Sequence, residues 1–385
     1  MQPRLAEKLL KQYSRQFRSL AVVGPRQSGK TTLVKKVFPS KPYISLEDPD
    51  ERLFATADPR AFLNRFKNGA ILDEAQKAPE LFNYMQGIID KVTKDGFFIL
   101  TGSNNFLMQQ SVSQSLAGRI GYIDLLPLSY REILQFDNRD FSVNELIWRG
   151  CYPEIFDKDR KPDAWYPAYI RTYIERDVKQ ISNIGNTIIF NRFLQLCAGR
   201  TGQQLNVSAL SNECGVDVKT VQAWLSILQS SYIIYLLPPY HKAYNKRVVK
   251  TPKLYFLDTG LACSLLGIRQ QNEIVNSHFR GALFENFILT EILKQKYNTG
   301  SSANLYYWKE NNGLEIDILI DAGKKIIPVE IKIAETYSDA YIKNIRHWNK
   351  IAGNRGGYLL YNGEKNFLLS DKINVCNWKE FTLKF

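Results

Sequence analysis

Short apolar runs alternate with amphipathic stretches over the first 135 residues of the chain. Residues 20–23, 43–46, 70–72 and 97–100 have the length and composition of buried strands, and residues 32–38 have helical spacing. Strands that alternate with helices predict a parallel sheet, and ligands of such sheets bind at the carboxyl edge of the strands. Polar residues that follow these runs are therefore the first candidates for chemistry.

Further along, residues 207–225 have the pattern of two helices joined by a tight turn at Gly215. Apolar positions recur where a helix-turn-helix core needs them. Strands are predicted at residues 232–237 and 254–257, and the stretch between them carries only basic charges: Lys242, Lys246, Arg247, Lys250 and Lys253. This pattern predicts a winged helix with a basic wing that lies along phosphates. The alternative is a winged helix that makes protein contacts only.

The second predicted helix of this pair offers Lys219, Thr220 and Gln222, but no arginine fork for base edges. We therefore expect any DNA contact to depend on backbone and shape, and to weaken steeply with salt.

Near the C-terminus, residues 314–320 and 326–332 alternate polar and apolar positions around a turn. The period of two places Glu315 and Asp317 on one face, and likewise Glu330 and Lys332. The pattern predicts a half-buried hairpin that carries charged side chains.

The loop after the first apolar run has the pattern G-x-x-x-x-G-K-[ST], with a strand before it and a helix after it. Its backbone N–H groups are expected to surround a phosphate chain at a helix N-terminus. Lys30 is predicted to reach the β- and γ-phosphates, and Thr31 to coordinate Mg²⁺. The predicted nucleotide-binding residues are Gly24, Pro25, Arg26, Gln27, Ser28, Gly29, Lys30, Thr31 and Thr32.

Polar side chains follow two further strands. Asp73 and Glu74 end the third apolar run, where Asp73 is predicted to hold Mg²⁺ and Glu74 to polarise the attacking water. Ser103 and Asn104 follow the next strand and are predicted to face the γ-phosphate; an ordinary strand-end turn is the alternative. Arg119, after Gly118, is a candidate arginine finger for a neighbouring subunit's nucleotide, or else a surface arginine in a salt bridge.

Composition favours a folded protein with polyanionic partners. Of 385 residues, 44% are hydrophobic, and 51 Lys and Arg against 38 Asp and Glu give a net charge of +13. Nucleic acid is the first candidate partner for such a charge. The five scattered Cys predict neither a disulfide framework nor a metal site, no targeting or membrane segment is evident, and we expect a cytoplasmic protein.

Taken together, the motifs resemble the AAA+ superfamily, and more narrowly a large group of predicted bacterial and archaeal P-loop ATPases. The resemblance rests on residues 24–31, 73–74, 101–104, 116–119 and 127–129, and in the second half on residues 150–154, 255–260 and 284–286. It implies an α/β fold: a P-loop parallel-sheet AAA+ domain (1–135), a helical lid (136–185), a winged helix-turn-helix (186–260) and a restriction-endonuclease-like α/β domain (261–385).

The C-terminal hairpin resembles the restriction-endonuclease-like fold, which joins a carboxylate on one strand to an E-x-K on the next. Glu285, Asp317 and Glu330 are then predicted to hold Mg²⁺, and Lys332 to act on the attacking water. An exposed hairpin with alternating charge produces the same pattern by accident, and the fold is often kept without cleavage.

These observations predict an ATP- and Mg²⁺-dependent ATPase that acts on DNA, working as a homo-oligomer away from membranes. Two alternatives remain: a nucleotide-gated protein-interaction switch, and an ATP-controlled nuclease. The sequence leaves open whether the target is DNA, RNA or protein.

Overall fold

The structure, a computed structural model, describes residues 4–103, 116–174, 187–240, 251–310 and 313–384. The chain divides into two compact units. The first comprises Met1–Leu128, Ser230–Tyr232 and Lys294–Ser302. The second comprises Ser129–Gln229, Ile233–Leu293 and Ala303–Phe385.

The first unit is built on a five-stranded parallel sheet in the order β2-β3-β4-β1-β5. Its strands are β1 Ser19–Val23, β2 Tyr43–Ser45, β3 Ile71–Asp73, β4 Phe98–Gly102 and β5 Ile120–Asp124. Three of them, β1, β3 and β4, are buried along their whole length, as continuous apolar runs in parallel sheets are. The predicted parallel sheet is confirmed, and β1 lies between β4 and β5, where the strand order reverses.

Helices separate these strands along the chain. They are α1 Ala6–Tyr13, α2 Lys30–Val37, α3 Pro49–Ala57, α4 Pro59–Asn64 and α5 Glu80–Ile89, with a 3₁₀ turn at Ala75–Lys77. Local sequence explains two of the starts, because α3 and α4 each follow an aspartate whose side chain accepts a backbone N–H and each begin with proline.

The remaining helices follow Leu128 in the chain. They are α6 Tyr130–Phe136, α7 Val143–Arg149, α8 Pro153–Asp157, α9 Pro162–Tyr169, α10 Thr187–Ala198, α11 Val207–Cys214, α12 Val218–Ser230, α13 Thr259–Leu265, α14 Gln271–Val275, α15 Arg280–Asn298, α16 Lys343–Ala352 and α17 Trp378–Lys384. A π-helical turn lies at Ile170–Ile174 and a 3₁₀ turn at Asp339–Ile342. No helix in the described part of the chain combines the length and hydropathy needed to cross a bilayer.

The predicted helix pair is present as α11 and α12, and Gly215 joins them in the left-handed conformation (φ 69°). The strands β6 Gln203–Gln204, β7 Ile234–Leu237 and β8 Lys253–Phe256 form an antiparallel sheet in the order β6-β8-β7. The predicted basic residues from Lys242 to Lys250 lie outside the described residues.

Lys253 corrects one part of that prediction. It opens β8 and is only 3% exposed, so it does not belong to a basic surface. Its ammonium pairs with Glu285 and Glu315, and all four residues of β8 are buried, so both faces of this strand are covered. Charge counting along the sequence did not distinguish a solvated lysine from a buried one.

A six-stranded mixed sheet closes the second unit, in the order β13-β14-β12-β11-β10-β9. Its strands are β9 Leu305–Lys309, β10 Glu315–Asp321, β11 Ile326–Lys332, β12 Gly357–Tyr361, β13 Phe367–Leu368 and β14 Ile373–Asn377. The predicted hairpin of β10 and β11 is confirmed as an antiparallel pair. The register of β10 against β9 shifts between Ile316 and Leu319, so the pairing of the two strands is irregular around Asp317.

Two motifs of the second half meet at Asp258, just after β8. The carboxylate accepts hydrogen bonds from Cys151 N–H (2.7 Å), Tyr166 O–H (2.7 Å) and Leu261 N–H (3.0 Å). Gly150 must lack a side chain here, because a Cβ would lie 2.4 Å from Asp258 Oδ1.

A third motif joins the same strand. Asn286 on α15 brackets Phe256 of β8, donating to its carbonyl (2.6 Å) and accepting from its N–H (2.8 Å). These residues therefore serve the packing of the second unit.

Candidate active site

The carboxyl edge of the first sheet gathers the predicted nucleotide-site residues. The loop after β1 turns through Gly24 (φ 153°) and Gly29 (φ 92°), and Gln27 is also left-handed (φ 61°). A Cβ on Gly24 would lie 2.2 Å from the carbonyl oxygen of Leu125, so only glycine fits. The loop is thus packed tightly against the chain that follows β5.

Lys30 begins α2 and is 5% exposed. Its Nζ donates to the carbonyls of Gly24 (2.9 Å) and Pro25 (2.7 Å), which holds the ammonium inside the curve of the loop. Ser28 Oγ is buried and has no hydrogen-bond partner among the described residues. A concave backbone with an ammonium at its centre is suited to bind an anion.

Asp73 lies at the end of β3 and is held by three hydroxyl groups. Its carboxylate accepts from Thr31 (2.9 Å), from Tyr43 (2.7 Å) and from Thr101. Burial, together with the hydrogen bond to Asp73, raises the pKa of Tyr43 well above its usual value, so Tyr43 stays a donor. Three O–H donors fix the carboxylate next to Thr31, the pairing that the sequence predicts for a Mg²⁺ site.

Glu74 follows in the left-handed conformation (φ 54°), which is costly for a residue with a Cβ. It is 8% exposed, and its Oε2 accepts from Ser103 Oγ (2.8 Å) and from Gln76 Nε2 (2.6 Å). Backbone strain of this kind is concentrated at functional sites. Hydrogen bonds from these two donors thus hold the carboxylate near the end of β4.

The structure also shows where the other predicted residues of this unit lie. Arg26 contacts Glu47 at 3.4 Å, so the loop has a cation on its outer side. Arg119 pairs with Asp90 through Nε and through Nη2 (3.2 Å), and this pair is solvent-exposed. Asn104 lies outside the described residues.

Sequence reasoning missed four contributors: Arg4, Tyr43, Gln76 and Thr101. Arg4 donates to the carbonyls of Ser28 (2.6 Å) and Leu126 (2.7 Å), and it lies far from the loop in sequence. Thr101 is the penultimate residue of β4 and Tyr43 begins β2, but nothing in the sequence alone pairs either with Asp73.

The second predicted site lies at the β10–β11 hairpin of the other unit. Lys332 Nζ is 3.2 Å from Glu330 Oε2 and 3.6 Å from Asp317 Oδ2, while Ile331 N–H donates to Asp317 (2.8 Å). Burial would raise the pKa of Asp317, but Lys332 and Lys253 hold it below its usual value. Glu285, on α15, is paired to Lys253 Nζ at 3.1 Å.

Burial lowers the pKa of Lys253, but the charge of Glu285 and the groups around it outweigh this effect and raise the pKa overall. Lys253 is therefore a cation within the protein interior. Nothing in the sequence indicates this pairing, because Lys253 belongs to a strand of a different sheet.

Comparisons with known proteins agree with the first unit's geometry. Residues 16–134 match a family model described as "AAA domain". Residues 140–272 and 280–381 match two models described as domains of unknown function, DUF8612 and DUF4143. The N-terminal part of the chain is therefore similar to an AAA domain, in agreement with its parallel sheet and the glycine-bracketed loop after β1.

Relatives extend over most of the chain. Uncharacterized protein Rv2008c of Mycobacterium tuberculosis is 28% identical over 357 residues, which cover 91% of this chain and 78% of the relative. Uncharacterized protein MJ1544 of Methanocaldococcus jannaschii is 23% identical over 356 residues, covering 84% and 76%. A similar solved structure, the Walker-type ATPase PABY2304 of Pyrococcus abyssi, is 16% identical and covers 68% of this chain and 94% of its own. The TM-score between the two structures is 0.46.

Proposed function

We propose that the chain binds ATP with Mg²⁺ at the carboxyl edge of its first sheet and hydrolyses it. The observation that carries this proposal is the convergence of Lys30, Thr31, Asp73 and Glu74 at that edge. The backbone N–H groups of the loop after Pro25 and the N-terminus of α2 are suited to bind the phosphates.

In this proposal each side chain has a separate role. Thr31 and Asp73 hold Mg²⁺, which neutralises charge on the phosphates when bound. Lys30 exchanges its loop carbonyls for phosphate oxygens. Glu74 accepts a hydrogen bond from the attacking water, with Ser103 and Gln76 fixing the direction of its carboxylate.

Steady-state phosphate release tests this directly. We expect Lys30→Ala to abolish ATP binding and turnover, and Glu74→Gln to keep binding while turnover falls by about 10²–10⁴-fold. Lys8→Ala, an exposed lysine of α1, is the matched control and should leave both unchanged. Wild-type protein that fails to bind labelled ATP with Mg²⁺ present would overturn the proposal.

We further propose that the second unit contacts nucleic acid, with DNA as the first candidate. Support comes from the net charge of +13 and from the sequential order α10, β6, α11, α12, β7, β8, which suits a winged helix. Lys219 and Gln222 are exposed near the start of α12. Asp217 weakens this face, since it caps α12 through the N–H of Thr220 (2.9 Å) and repels phosphates.

ATP turnover measured against single-stranded, duplex and branched DNA at two salt concentrations tests the DNA proposal. Stimulation that disappears in Lys30→Ala and weakens with salt supports it. Turnover indifferent to every nucleic acid contradicts it and favours the protein-interaction switch. In that case Glu74→Gln should trap one conformation without changing a near-zero rate.

A further inference from the structure

A buried lysine lies next to the cluster of carboxylate side chains at the C-terminal sheet. Lys253 Nζ is 3.1 Å from Glu285 Oε1 on α15 and also contacts Glu315 Oε1 on β10. Tyr255, two residues along β8, donates to the same oxygen of Glu285. One ammonium therefore joins acids from a helix and from a strand of another sheet.

The restriction-endonuclease resemblance implies a Mg²⁺ ion here, and the residues can be tested against that ion. Mg²⁺ requires near-octahedral oxygen ligands at about 2.0–2.1 Å. The acids already have cationic or N–H partners: Glu285 has Lys253, Glu330 has Lys332, and Asp317 has Lys332 with the N–H of Ile331. In the described ranges no group of three or more His, Cys, Asp or Glu could hold a metal ion.

One oxygen of the group remains open. Glu330 Oε1 is buried and has no hydrogen-bond partner among the described residues. A single oxygen does not make a Mg²⁺ site, and two ammonium groups already supply positive charge to the four acids: Lys253 to Glu285 and Glu315, and Lys332 to Asp317 and Glu330. The residues thus do not fit the ion that the resemblance implies.

We propose that Lys253 takes the place of a metal ion in this cluster of carboxylate side chains. Its ammonium ties β8 to β10 and α15 through ion pairs, and the C-terminal domain holds no Mg²⁺-dependent nuclease centre. Lys309, which contacts Glu315 Oε2 at 2.6 Å from a more exposed position, adds a peripheral charge to the same group.

Mn²⁺ binding to the full chain, followed by electron paramagnetic resonance without nucleotide, tests this. An Asp73→Asn background removes the nucleotide site from the measurement. We expect that adding a second change, Asp317→Asn, leaves the Mn²⁺ binding of this chain unchanged. Mn²⁺ binding that does disappear with Asp317→Asn while Lys253 is intact would overturn the proposal, as would Mg²⁺-dependent cleavage of plasmid DNA lost in the same variant.

Replacing the lysine gives the complementary test. In the Asp73→Asn background, Lys253→Met is expected to gain one Mn²⁺ site that Glu285→Gln removes again, because Lys253 Nζ contacts Glu285. Lys309→Met is expected to gain none. If the Lys253→Met chain folds but gains no Mn²⁺ site, the proposal that Lys253 takes the place of a metal ion is contradicted. If Lys253→Met does not fold while Lys309→Met and Lys253→Arg do, a positive charge at position 253 is confirmed as what these acids need.

Discussion

Arg4 fixes the nucleotide-binding loop from a position far outside the motif. It is 9% exposed, and its two hydrogen bonds join the loop at Ser28 to the chain after β5 at Leu126. Hydrogen bonds from a charged donor contribute about 1.5–3 kcal/mol each. We expect Arg4→Ala to lower the free energy of unfolding by about 2 kcal/mol and to weaken ATP binding about tenfold, because the loop loses its brace.

Urea unfolding and titration with a fluorescent ATP analogue measure both effects. Arg15→Ala removes an exposed arginine of the same segment and should change neither quantity. Equal effects in the two variants would show that Arg4 acts only through general charge.

Lys41 is a partly buried cation whose ionisation makes stability depend on pH. Its Nζ donates to the carbonyl of Phe97 (2.8 Å), and burial, with a smaller effect of Lys94, lowers its pKa to about 8. Between that value and the unfolded pKa of about 10.4, the unfolded chain binds more protons than the folded one. The contribution of Lys41 to stability therefore rises as pH increases through this interval.

We expect the difference in unfolding free energy between wild type and Lys41→Met to shift in favour of wild type from pH 8 to about 10.4. Denaturant unfolding of both chains at several pH values measures it, and the subtraction cancels the other titrating groups. A difference in unfolding free energy that does not change with pH would contradict the lowered pKa of Lys41.

At the scale of elements, Asp258 connects three parts of the second unit. It links the loop before α8, the helix α9 and the start of α13 through three hydrogen bonds. Removing a buried acceptor leaves its donors unsatisfied at about 1–3 kcal/mol each. We expect Asp258→Ala to lower the free energy of unfolding by about 3 kcal/mol or more.

Thermal and urea unfolding of Asp258→Ala test this, with Asp157→Ala at an exposed position as control. Asp157→Ala should stay within about 0.5 kcal/mol of wild type. A similar small change in Asp258→Ala would mean that the motif is not structural and would reopen it as a binding site.

Prediction of elements succeeded where local pattern determines structure. Strands β1 to β4 of the first sheet, the helix pair around Gly215 and the β10–β11 hairpin lie where period and turn residues place them, whereas β5 was not predicted. Lys253 was misplaced because its partners are more than thirty residues away, and the period of a strand does not show which face is buried against acids.

At the scale of the whole molecule, the proposed DNA contact predicts a steep salt dependence. Each neutralised phosphate contributes a slope of about −0.9 in log K against log salt. With about six contacts, affinity for duplex DNA should fall about 10³-fold between roughly 50 and 200 mM salt, and equally for unrelated sequences. Fluorescence anisotropy measures this; affinity that ignores salt or depends strongly on sequence would contradict backbone recognition.

The proposed homo-oligomer gives Arg119 a distinct test. If Arg119 acts on the nucleotide of a neighbouring subunit, Arg119→Ala should lose about 10³-fold in turnover, as other arginine fingers do. Mixing it with the inactive Lys30→Ala chain should restore part of the activity, since mixed oligomers pair an intact finger with an intact site. Asp90→Ala, which removes the partner of Arg119 but keeps the arginine, should retain turnover.

No recovery on mixing would leave Arg119 as one half of a surface ion pair. Such pairs contribute little to stability, about 0–1 kcal/mol. The proposed division into four domains, like the oligomer, stays a prediction.

By itself the sequence determined the phosphate-binding loop, the strand that ends in Asp73 and Glu74, and the parallel sheet that carries them. These features depend on residue spacing within a few positions, where backbone geometry leaves little choice. Only the tertiary structure decided which side chains complete the sites. Arg4, Tyr43, Thr101 and Lys253 come from distant parts of the chain, and their ion pairs and hydrogen bonds exist only after the elements have packed.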